Sequence, residues 1–535
     1  MIRKTIATAA SALLVVGLLG AAPDTGFDRQ QAANVGDTDL FNFEHVGNIT
    51  LANVNATQAS RAVDNQGTDV EFFTTPVTVA DGNGGTTTEE RDFAVVGDHS
   101  DGIGIIDITD PENAVVADYI SCANPRSDVG VFQWTEDDGT LRTFVGSSRE
   151  SGALCTGAGP ETTYESDDGN PLTSEAGGFS MFEVTDPYDA QPFARVRIGA
   201  GGAHNFMFHP TAPVAYAWNG EIGGAEVTSI QIVDMSPYFV DGGDVTEIRS
   251  FIGPDTIGSP HDGELSPDGS IMYVASEIDY LIYDNTDPLD PQLTTAFAPN
   301  EGTYAHGYFP SPDGNIAVTN NESLALGGFF ASRTGVCPGE GLAFYDTSIS
   351  GAAVGPLSYY VPPVQGQTPD HRACTSHFGR VAPNNAVMSV AWYVLGGRVV
   401  DFTDPTLPVE IGAATISLED SESGAYGTTA SRTAGTEAWS AKFYKGPYMY
   451  VGDQGRGFDI FKWTGPEECG NPFDESWTGW IDCEDLDFRL IVDPSAPTST
   501  PEPEPTTVFT PAMVGEALAV VQDEDGTLRF SCQVR

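Results

Sequence analysis

Positive charge is scarce in this sequence. Lysine and arginine together number 23, against 76 aspartate and glutamate residues in 535, and the formal net charge is −53. The lysines are Lys4, Lys442, Lys445 and Lys462. A surface of this charge repels nucleic acid and anionic membranes, so we expect no nucleic-acid partner. Salt screens such self-repulsion, which leaves a saline habitat and an ordinary acidic exported protein both open.

Long apolar runs are missing after the first residues of the chain. Met1-Ile2-Arg3-Lys4 precedes a short run of apolar and small residues that ends near Ala22, which is typical of a secretory signal peptide. No later segment is apolar enough to cross a bilayer. We therefore predict a signal peptide at 1–22, a flexible segment at 23–40, and a secreted, periplasmic or cell-surface protein without an integral membrane segment.

Several familiar motifs are also absent. The sequence contains no Gly-x-Ser-x-Gly elbow, no Walker loop and no Cys-x-x-Cys or Cys/His zinc pattern, so standard hydrolase and ATPase classes are not indicated. Seven cysteines in an exported chain favour disulfides. Their spacing suggests the pairs Cys122–Cys155, Cys337–Cys374 and Cys469–Cys483, with Cys532 left over.

What the sequence does contain is a repeat. A short β-branched or aromatic strand ends in an acidic residue and leads into a turn of Thr, Asp and Pro. Clear copies lie at 105–111, 181–187, 232–237, 282–288 and 399–405, and weaker ones at 344–347 and 460–463. Each copy has turn and strand signals on both sides and no helical period, so each unit reads as four short antiparallel strands. The repeat predicts an all-β fold, a seven-bladed β-propeller of four-stranded antiparallel blades.

The seventh unit lacks an obvious fourth strand, whereas residues 41–51 resemble the outer strands of the other units. Because a closed ring leaves no sheet edge unpaired, we predict that this N-terminal strand completes the last blade. The propeller then spans 41–465. It is followed by a Cys-containing extension at 466–493, a Pro/Thr/Glu-rich linker at 494–511 and a short hairpin-like segment at 512–535.

The repeated sequences IIDITDP, VVDFTDP and LIYDNTDP resemble the LVIVD-repeat family of exported bacterial β-propellers, over about residues 60–465. The resemblance implies the fold and no defined activity. A His followed by Ser-Pro-Asp-Gly is more loosely similar to metal-binding propellers. These are the selenium-binding or methanethiol oxidase family, which holds copper, and the periplasmic zinc-carrying propellers. The sequence lacks the His-rich N-terminal stretch expected of a zinc carrier.

Alignment of the units on their innermost strand places one residue of each blade at the same level of the central channel. These residues are Asp69, Asp128, His204, His261, His306, His377 and Trp439. The chain has only eight histidines, so four on successive blades are unexpected by chance. Imidazoles from neighbouring blades can converge on zinc or copper, and carboxylates can complete the shell. We predict a metal site made by His204, His261, His306, His377 and Asp128, with a structural calcium as a further option.

Other residues are expected near the same mouth, as ligand-binding groups or as supports for the metal ligands. They are Asp69, His99, Asp262, Glu277, Trp439 and Arg456. Two functions stay open. The first is a metal-binding propeller that acts as a carrier or an oxidase. The second is a non-catalytic module that recognises a small molecule or an extracellular protein, with histidines that serve only structure. Whether the protein is an enzyme is not decided by the sequence.

Overall fold

The computed structural model divides the chain into two compact units, residues 28–486 and residues 1–27 with 487–535. In the second unit, Ala519–Gln522 and Leu528–Ser531 form an antiparallel pair of strands. The residues that the structure describes are 37–49, 51, 67–81, 84–99, 102–122, 128–151, 154–155, 157–165, 176–198, 202–218, 221–222, 225–226, 229–298, 304–323, 336–338, 341–348, 355–364, 366–367, 373–417, 436–477, 479–480, 519–522 and 528–531. The predicted signal peptide and the 494–511 linker lie outside them.

Seven antiparallel sheets make up the larger unit, each with its first strand innermost. From the inside outward, blade 1 is Gly67–Ala80, Thr86–Asp98, Gly102–Asp107 and Val115–Ser121, and blade 2 is Val129–Thr135, Leu141–Ser151, Ala176–Glu183 and Gln191–Arg197. Blade 3 is Asn205–Phe208, Val214–Trp218, Ser229–Asp234 and Arg249–Asp255. Blade 4 is Asp262–Leu265, Ile271–Ala275, Tyr280–Asp284 and Gln292–Phe297.

Blades 5 and 6 continue the same order. Blade 5 is Tyr304–Pro310, Ile316–Ser323, Leu342–Asp346 and Ser358–Tyr360. Blade 6 is Gly379–Val381, Val387–Ala391, Gly397–Asp401 and Val409–Ala414. Blade 7 is Ala438–Phe443, Tyr448–Asp453 and Gly457–Trp463, with Phe43–Ile49 as its fourth strand.

Short elements decorate the blades. Thr163–Glu165 adds a parallel fifth strand to blade 3, and Ser236–Phe239 is a single helical turn. Two small antiparallel ribbons are formed by Glu221–Ile222 with Ala225–Glu226 and by Val336–Cys337 with Gly366–Gln367. The described 3-10 turns are Pro111–Asn113, Val245–Glu247 and Glu467–Cys469. Among the residues described, no helix is long and apolar enough to cross a membrane.

The repeated acidic residue closes the turn that follows the third strand. Oδ1 of Asp284 accepts hydrogen bonds from the amide and the hydroxyl of Thr286, at 3.0 and 2.6 Å. Asp401 binds Thr403 in the same way, at 2.7 Å for both contacts. An Asp side chain that binds the backbone two residues later stabilises a tight turn without help from tertiary contacts. This local need explains why the motif recurs from blade to blade.

Burial follows from the position of a strand within its blade. Every residue of the third strands Gly102–Asp107 and Gly397–Asp401 is buried, because neighbouring blades pack on both faces of each sheet. The outermost strands are partly exposed, and Val115 on blade 1 is 55% exposed. Blades 2 and 3 approach closely at Gly146, where an added Cβ would lie 2.6 Å from the ring of Phe206.

The N-terminal strand closes the ring, as predicted. Phe43–Ile49 pairs antiparallel with Gly457–Trp463, and Phe43 lies opposite Trp463. The carboxylate of Asp459 accepts hydrogen bonds from His45 and Asn48 of the closing strand, both at 2.8 Å. The seventh blade thereby reaches four strands, which confirms the seven-bladed propeller.

The disulfide predictions have mixed outcomes. Cys337 and Cys374 are bonded, with their Cα atoms 5.3 Å apart, as predicted. Cys469 is also disulfide-bonded, and its predicted partner Cys483 lies outside the described residues. The predicted Cys122–Cys155 disulfide is not formed, and both residues are buried thiols. A hydrogen bond from Cys122 is the main cause that lowers the pKa of Cys155 to about 7, so the two sulfurs are neighbours.

Truncation of the closing strand's anchor tests this closure. Phe43 is buried, packs edge-on against Trp463 at 5.5 Å between ring centroids, and fills the space above Gly412. We expect Phe43→Ala to lower the free energy of unfolding by about 3–5 kcal/mol, measured by chemical denaturation. Val115→Ala, on the outer strand of blade 1, should change it by less than about 0.5 kcal/mol. Equal, small losses in both variants would contradict the closure.

Candidate metal centre

The predicted histidines lie at the ends of the first strands that open into the channel. His204, His261 and His377 come just before or at the start of these strands and are held by the same backbone contact. The amide of each donates at 2.8 Å to the carbonyl at the end of the second strand of its blade, which belongs to Trp218, Ala275 and Ala391 respectively. The same backbone contact on blades 3, 4 and 6 therefore brings these three imidazoles to one level.

The four imidazoles form a continuous arc. Ring centroids are 4.4 Å apart for His204 and His261, 4.6 Å for His261 and His306, and 4.3 Å for His306 and His377. Trp439 on blade 7 extends the arc, at 4.3 Å from His377. The structure thus brings together the histidines that the sequence placed on neighbouring blades.

Carboxylates at the ends of second strands lie against two of these imidazoles. Glu150 Oε1 is 2.5 Å from Nδ1 of His204. Glu322 Oε2 is 3.7 Å from Nε2 of His306, and both of these residues are almost completely buried. Glu150 thereby joins blade 2 to the start of blade 3, whereas Glu322 and His306 lie on the second and first strands of the same blade, blade 5.

A third carboxylate acts through a tyrosine. The hydroxyl of Tyr304 donates to Oε1 of Glu277 at 3.0 Å and lies 2.9 Å from Nδ1 of His261. Because the tyrosine proton goes to the carboxylate, the tyrosine oxygen accepts from the imidazole. We therefore assign the proton of the neutral His261 ring to Nδ1.

The same reasoning fixes the tautomers of two more histidines. Nδ1 of His377 lies 2.7 Å from the carbonyl oxygen of Trp439, which can only accept. Nδ1 of His204 faces the carboxylate of Glu150. In His204, His261 and His377 alike, the neutral ring then keeps its lone pair on Nε2. Imidazoles that bind metals are commonly oriented in this way by an acceptor on the other nitrogen.

Three side chains come close enough to share one ion. Each of His261, His306 and Glu322 offers one ligand atom, and these atoms lie within 4.8 Å of one another. His204 and His377 flank this triad without joining it. Within the described part of the chain neither ring nitrogen of His306 makes a hydrogen bond of normal geometry, although the amide of Asn320 lies nearby.

Burial also sets the protonation of the central histidine. Desolvation lowers the pKa of His306 to about 4, against the opposing charge of Glu322. The ring is therefore neutral at neutral pH. Neutral imidazole is the form that binds transition metals.

Backbone strain is concentrated beside the triad. Glu277 has a φ of 62° and Tyr393 a φ of 30°, both in the left-handed region that side chains with a Cβ rarely adopt. The Tyr393 hydroxyl donates to Oε1 of Glu322 at 2.6 Å. Such strain is held only where surrounding contacts over-determine the backbone, and it is frequent at functional sites.

The predicted carboxylates Asp69, Asp128 and Asp262 line a separate cavity in the channel, and the four histidines of the arc are not part of its lining. Asp69 pairs with Lys442 at 2.8 Å, and Asp128 accepts from the amide of Phe206 at 2.8 Å.

The remaining predicted residues lie on blades 1 and 7. His99 is 6.4 Å from Trp439 between ring centroids, so it extends the aromatic arc. Arg456 forms a two-point ion pair with Asp459, at 2.6 and 2.9 Å. Asp459 also binds the closing strand through His45, so Arg456 supports blade closure.

Sequence reasoning missed Glu150, Glu322, Tyr304 and Tyr393. The sequence singled out Glu277 because it follows a second strand. The same criterion, applied to every blade, would have found Glu150, Glu322 and Tyr393, since all stand at the ends of second strands or just beyond them.

No family model matches this sequence, and no curated protein matches it either. Solved structures with a similar fold include the β-propeller domain of Cps50 (Swd1) from Myceliophteria thermophila, with 11% identity, 78% of this chain and 99% of that chain covered, and a TM-score of 0.42. A putative 6-phosphogluconolactonase from Bacteroides uniformis has 13% identity, covers 66% of this chain and 84% of its own, and has a TM-score of 0.39. The resemblance to the LVIVD-repeat family stays a prediction.

The depressed pKa of His306 predicts a pH dependence of stability in metal-free protein. An ordinary histidine pKa of 6.5 in the unfolded chain exceeds the folded value of about 4, so the unfolded state binds the proton first as pH falls. The stabilising contribution is complete above about pH 6.5 and is lost towards pH 4, by about 3 kcal/mol. Chemical denaturation at several pH values should show this loss in the parent protein and a flatter profile in His306→Gln. Parallel stability–pH profiles in the parent protein and His306→Gln would contradict the lowered pKa of His306.

Proposed function

We propose that this protein is an exported propeller that binds a transition metal, zinc or copper, at the end of its channel. The ligands are His261, His306 and Glu322, and His204 and His377 flank them. The observation that carries the proposal is the triad itself, whose ligand atoms lie within 4.8 Å of one another at buried positions. Two imidazoles and one carboxylate form a ligand set that suits Zn²⁺, and imidazole also suits copper.

The groups around the triad support the same conclusion. His261 is oriented through Tyr304 and Glu277, and Glu322 is oriented through Tyr393. A site that only packed histidines together would not need a hydrogen-bonded support behind two of its three ligands. Outer supports of this kind are typical of metal centres, where they hold the ligands in place and raise their basicity.

The identity of the ion separates the two activities that we consider. Zn²⁺ has no redox chemistry, so a zinc site would suit a carrier. Copper changes oxidation state, so a copper site would suit an oxidase, with the half-buried Trp439 and His204 at the accessible ends of the arc.

Export and family membership are part of the proposal. The N-terminal sequence reads as a signal peptide, and a disulfide forms between Cys337 and Cys374. The seven repeats resemble LVIVD propellers, whose members are exported. An extracytoplasmic location would also give the protein direct access to metal ions or small molecules.

Metal analysis of untagged full-length protein, produced in an exporting host, tests the proposal. After exposure to zinc or copper and dialysis, we expect about one tightly held ion per chain by elemental mass spectrometry. His261→Ala and His306→Ala each remove a ligand and should weaken binding by at least about tenfold. Glu322→Gln keeps the shape of the side chain and should weaken binding comparably.

His45→Gln is the matched control, because it removes an imidazole on the closing strand far from the triad in sequence and keeps a donor for Asp459. This variant should bind metal like the parent. Less than about a tenth of an equivalent of either metal in the parent would overturn the proposal. The histidines would then be structural, and the protein would be a non-catalytic ligand- or protein-binding propeller.

A further inference from the structure

A second cavity lies in the same channel and contains none of the metal-site residues. Its volume is about 330 Å³, and it reaches the surface at the exposed residues Gln133 and Pro210. Five carboxyl groups and two cationic side chains line it: Asp69, Glu71, Asp128, Asp262, Glu264, Arg380 and Lys442.

Both cations are already neutralised. Arg380 binds the two oxygens of Glu71 through one nitrogen, at 2.7 and 2.6 Å. Lys442 lies 2.7 Å from Glu71 and 2.8 Å from Asp69. The pKa of Glu71 is lowered to about 2, because Arg380 and Lys442 outweigh the effect of burial. Two acids and two bases therefore form one closed network, and neither base is left to bind an anion.

The other three acids of the cavity have no cation of their own. Among the described residues, neither Asp128, Asp262 nor Glu264 forms an ion pair, and Glu264 accepts no hydrogen bond. Asp128 and Asp262 are only 8% exposed. Burial raises the pKa of Asp128 well above the usual value, and it raises the pKa of Glu264 to about 7. The cavity thus holds more acids than its two cations can neutralise.

The rest of the lining indicates which counter-charge would fit. Five phenylalanines are also among the lining residues: Phe72, Phe132, Phe206, Phe309 and Phe378. Aromatic faces attract organic cations, whereas metal ions prefer closely spaced oxygen ligands. In the described residues only the triad brings three ligand atoms within 4.8 Å, so the cavity acids are too widely spaced to share one metal ion.

We propose that this cavity binds a small organic cation, an alkylammonium or guanidinium compound whose N–H groups donate to Glu264 and Asp262 while its carbon chain packs against the phenyl rings. The volume accommodates a molecule rather than a bare ion. The net charge of −53 adds long-range attraction for a cation. This site is independent of the proposed metal centre.

Binding has a defined proton balance. A cationic ligand favours the ionised form of Glu264, so the fraction of Glu264 that is protonated in the empty cavity releases its proton on binding. The charged groups that face Glu264 are Arg380, Lys442, Glu71, Asp69 and Asp262. The first four belong to the closed network, so Glu264 is the group that changes charge near neutral pH.

Isothermal titration with putrescine, its neutral diol analogue and calcium ion tests the proposal on full-length, chelator-treated protein. We expect putrescine to bind, the diol to bind at least about tenfold more weakly, and calcium not to compete. Glu264→Gln keeps the side-chain shape and should weaken putrescine binding at least about tenfold, as should Asp262→Asn. Titration in two buffers of different ionisation enthalpy should show proton release near pH 7, reduced in Glu264→Gln.

Glu322→Gln is the control at the other site and should bind putrescine like the parent. Near-ultraviolet circular dichroism checks that the cavity variants fold. Equal binding of the diol, displacement of putrescine by calcium, unchanged affinity in both folded cavity variants, or no binding of putrescine would each overturn the proposal. Because all arms use metal-free protein, none of these results depends on the metal centre.

Discussion

Seven first strands surround one axis and run in the same direction, and this constraint governs the chemistry of the whole channel. A residue's place along its strand sets its height in the channel, and its blade sets its angle around the axis. The histidine arc is one consequence, since His204, His261 and His377 share one backbone contact. The carboxylate cavity is another, since Asp262 and Glu264 lie on the strand that follows His261. A histidine arc and a carboxylate-lined cavity therefore lie in one channel.

The sequence was sufficient to predict the propeller because the repeated motif depends on contacts between residues that are close together in the chain. The Asp residue that closes each turn, such as Asp284 with Thr286, needs only neighbours two residues away, so it recurs visibly. His261 and His306 could be placed for the same reason, by counting along short first strands. Glu150 and Glu322 were harder to find, because second strands differ in length and their ends cannot be located by counting: Leu141–Ser151 has 11 residues and Ile271–Ala275 has 5.

Long-range ion pairs could not be predicted from the sequence for a different reason. Lys442 and Glu71 are 371 residues apart, and Arg380 and Glu71 are 309 residues apart, yet they meet because the closed ring places blades 6 and 7 near blade 1. The repeat does not indicate such pairs, because the two members of each pair lie on different blades. Lys442, one of the few lysines of the chain, is buried and pairs with Asp69 and Glu71, so this positive charge is used inside the fold.

Closure by a strand from the other end of the chain also imposes an order on folding. His45 and Asp459 meet across 414 residues, so the N-terminal strand Phe43–Ile49 has no partner until Gly457–Trp463, the last strand of the propeller, has been produced. An open edge can pair with another chain, which makes the interval before closure the period of greatest exposure to aggregation. Blades 4 and 5, which supply His261, His306 and Glu322, are complete well before that step. A metal ion could therefore bind while the ring is still open and hold two neighbouring blades in register for the strand that arrives last.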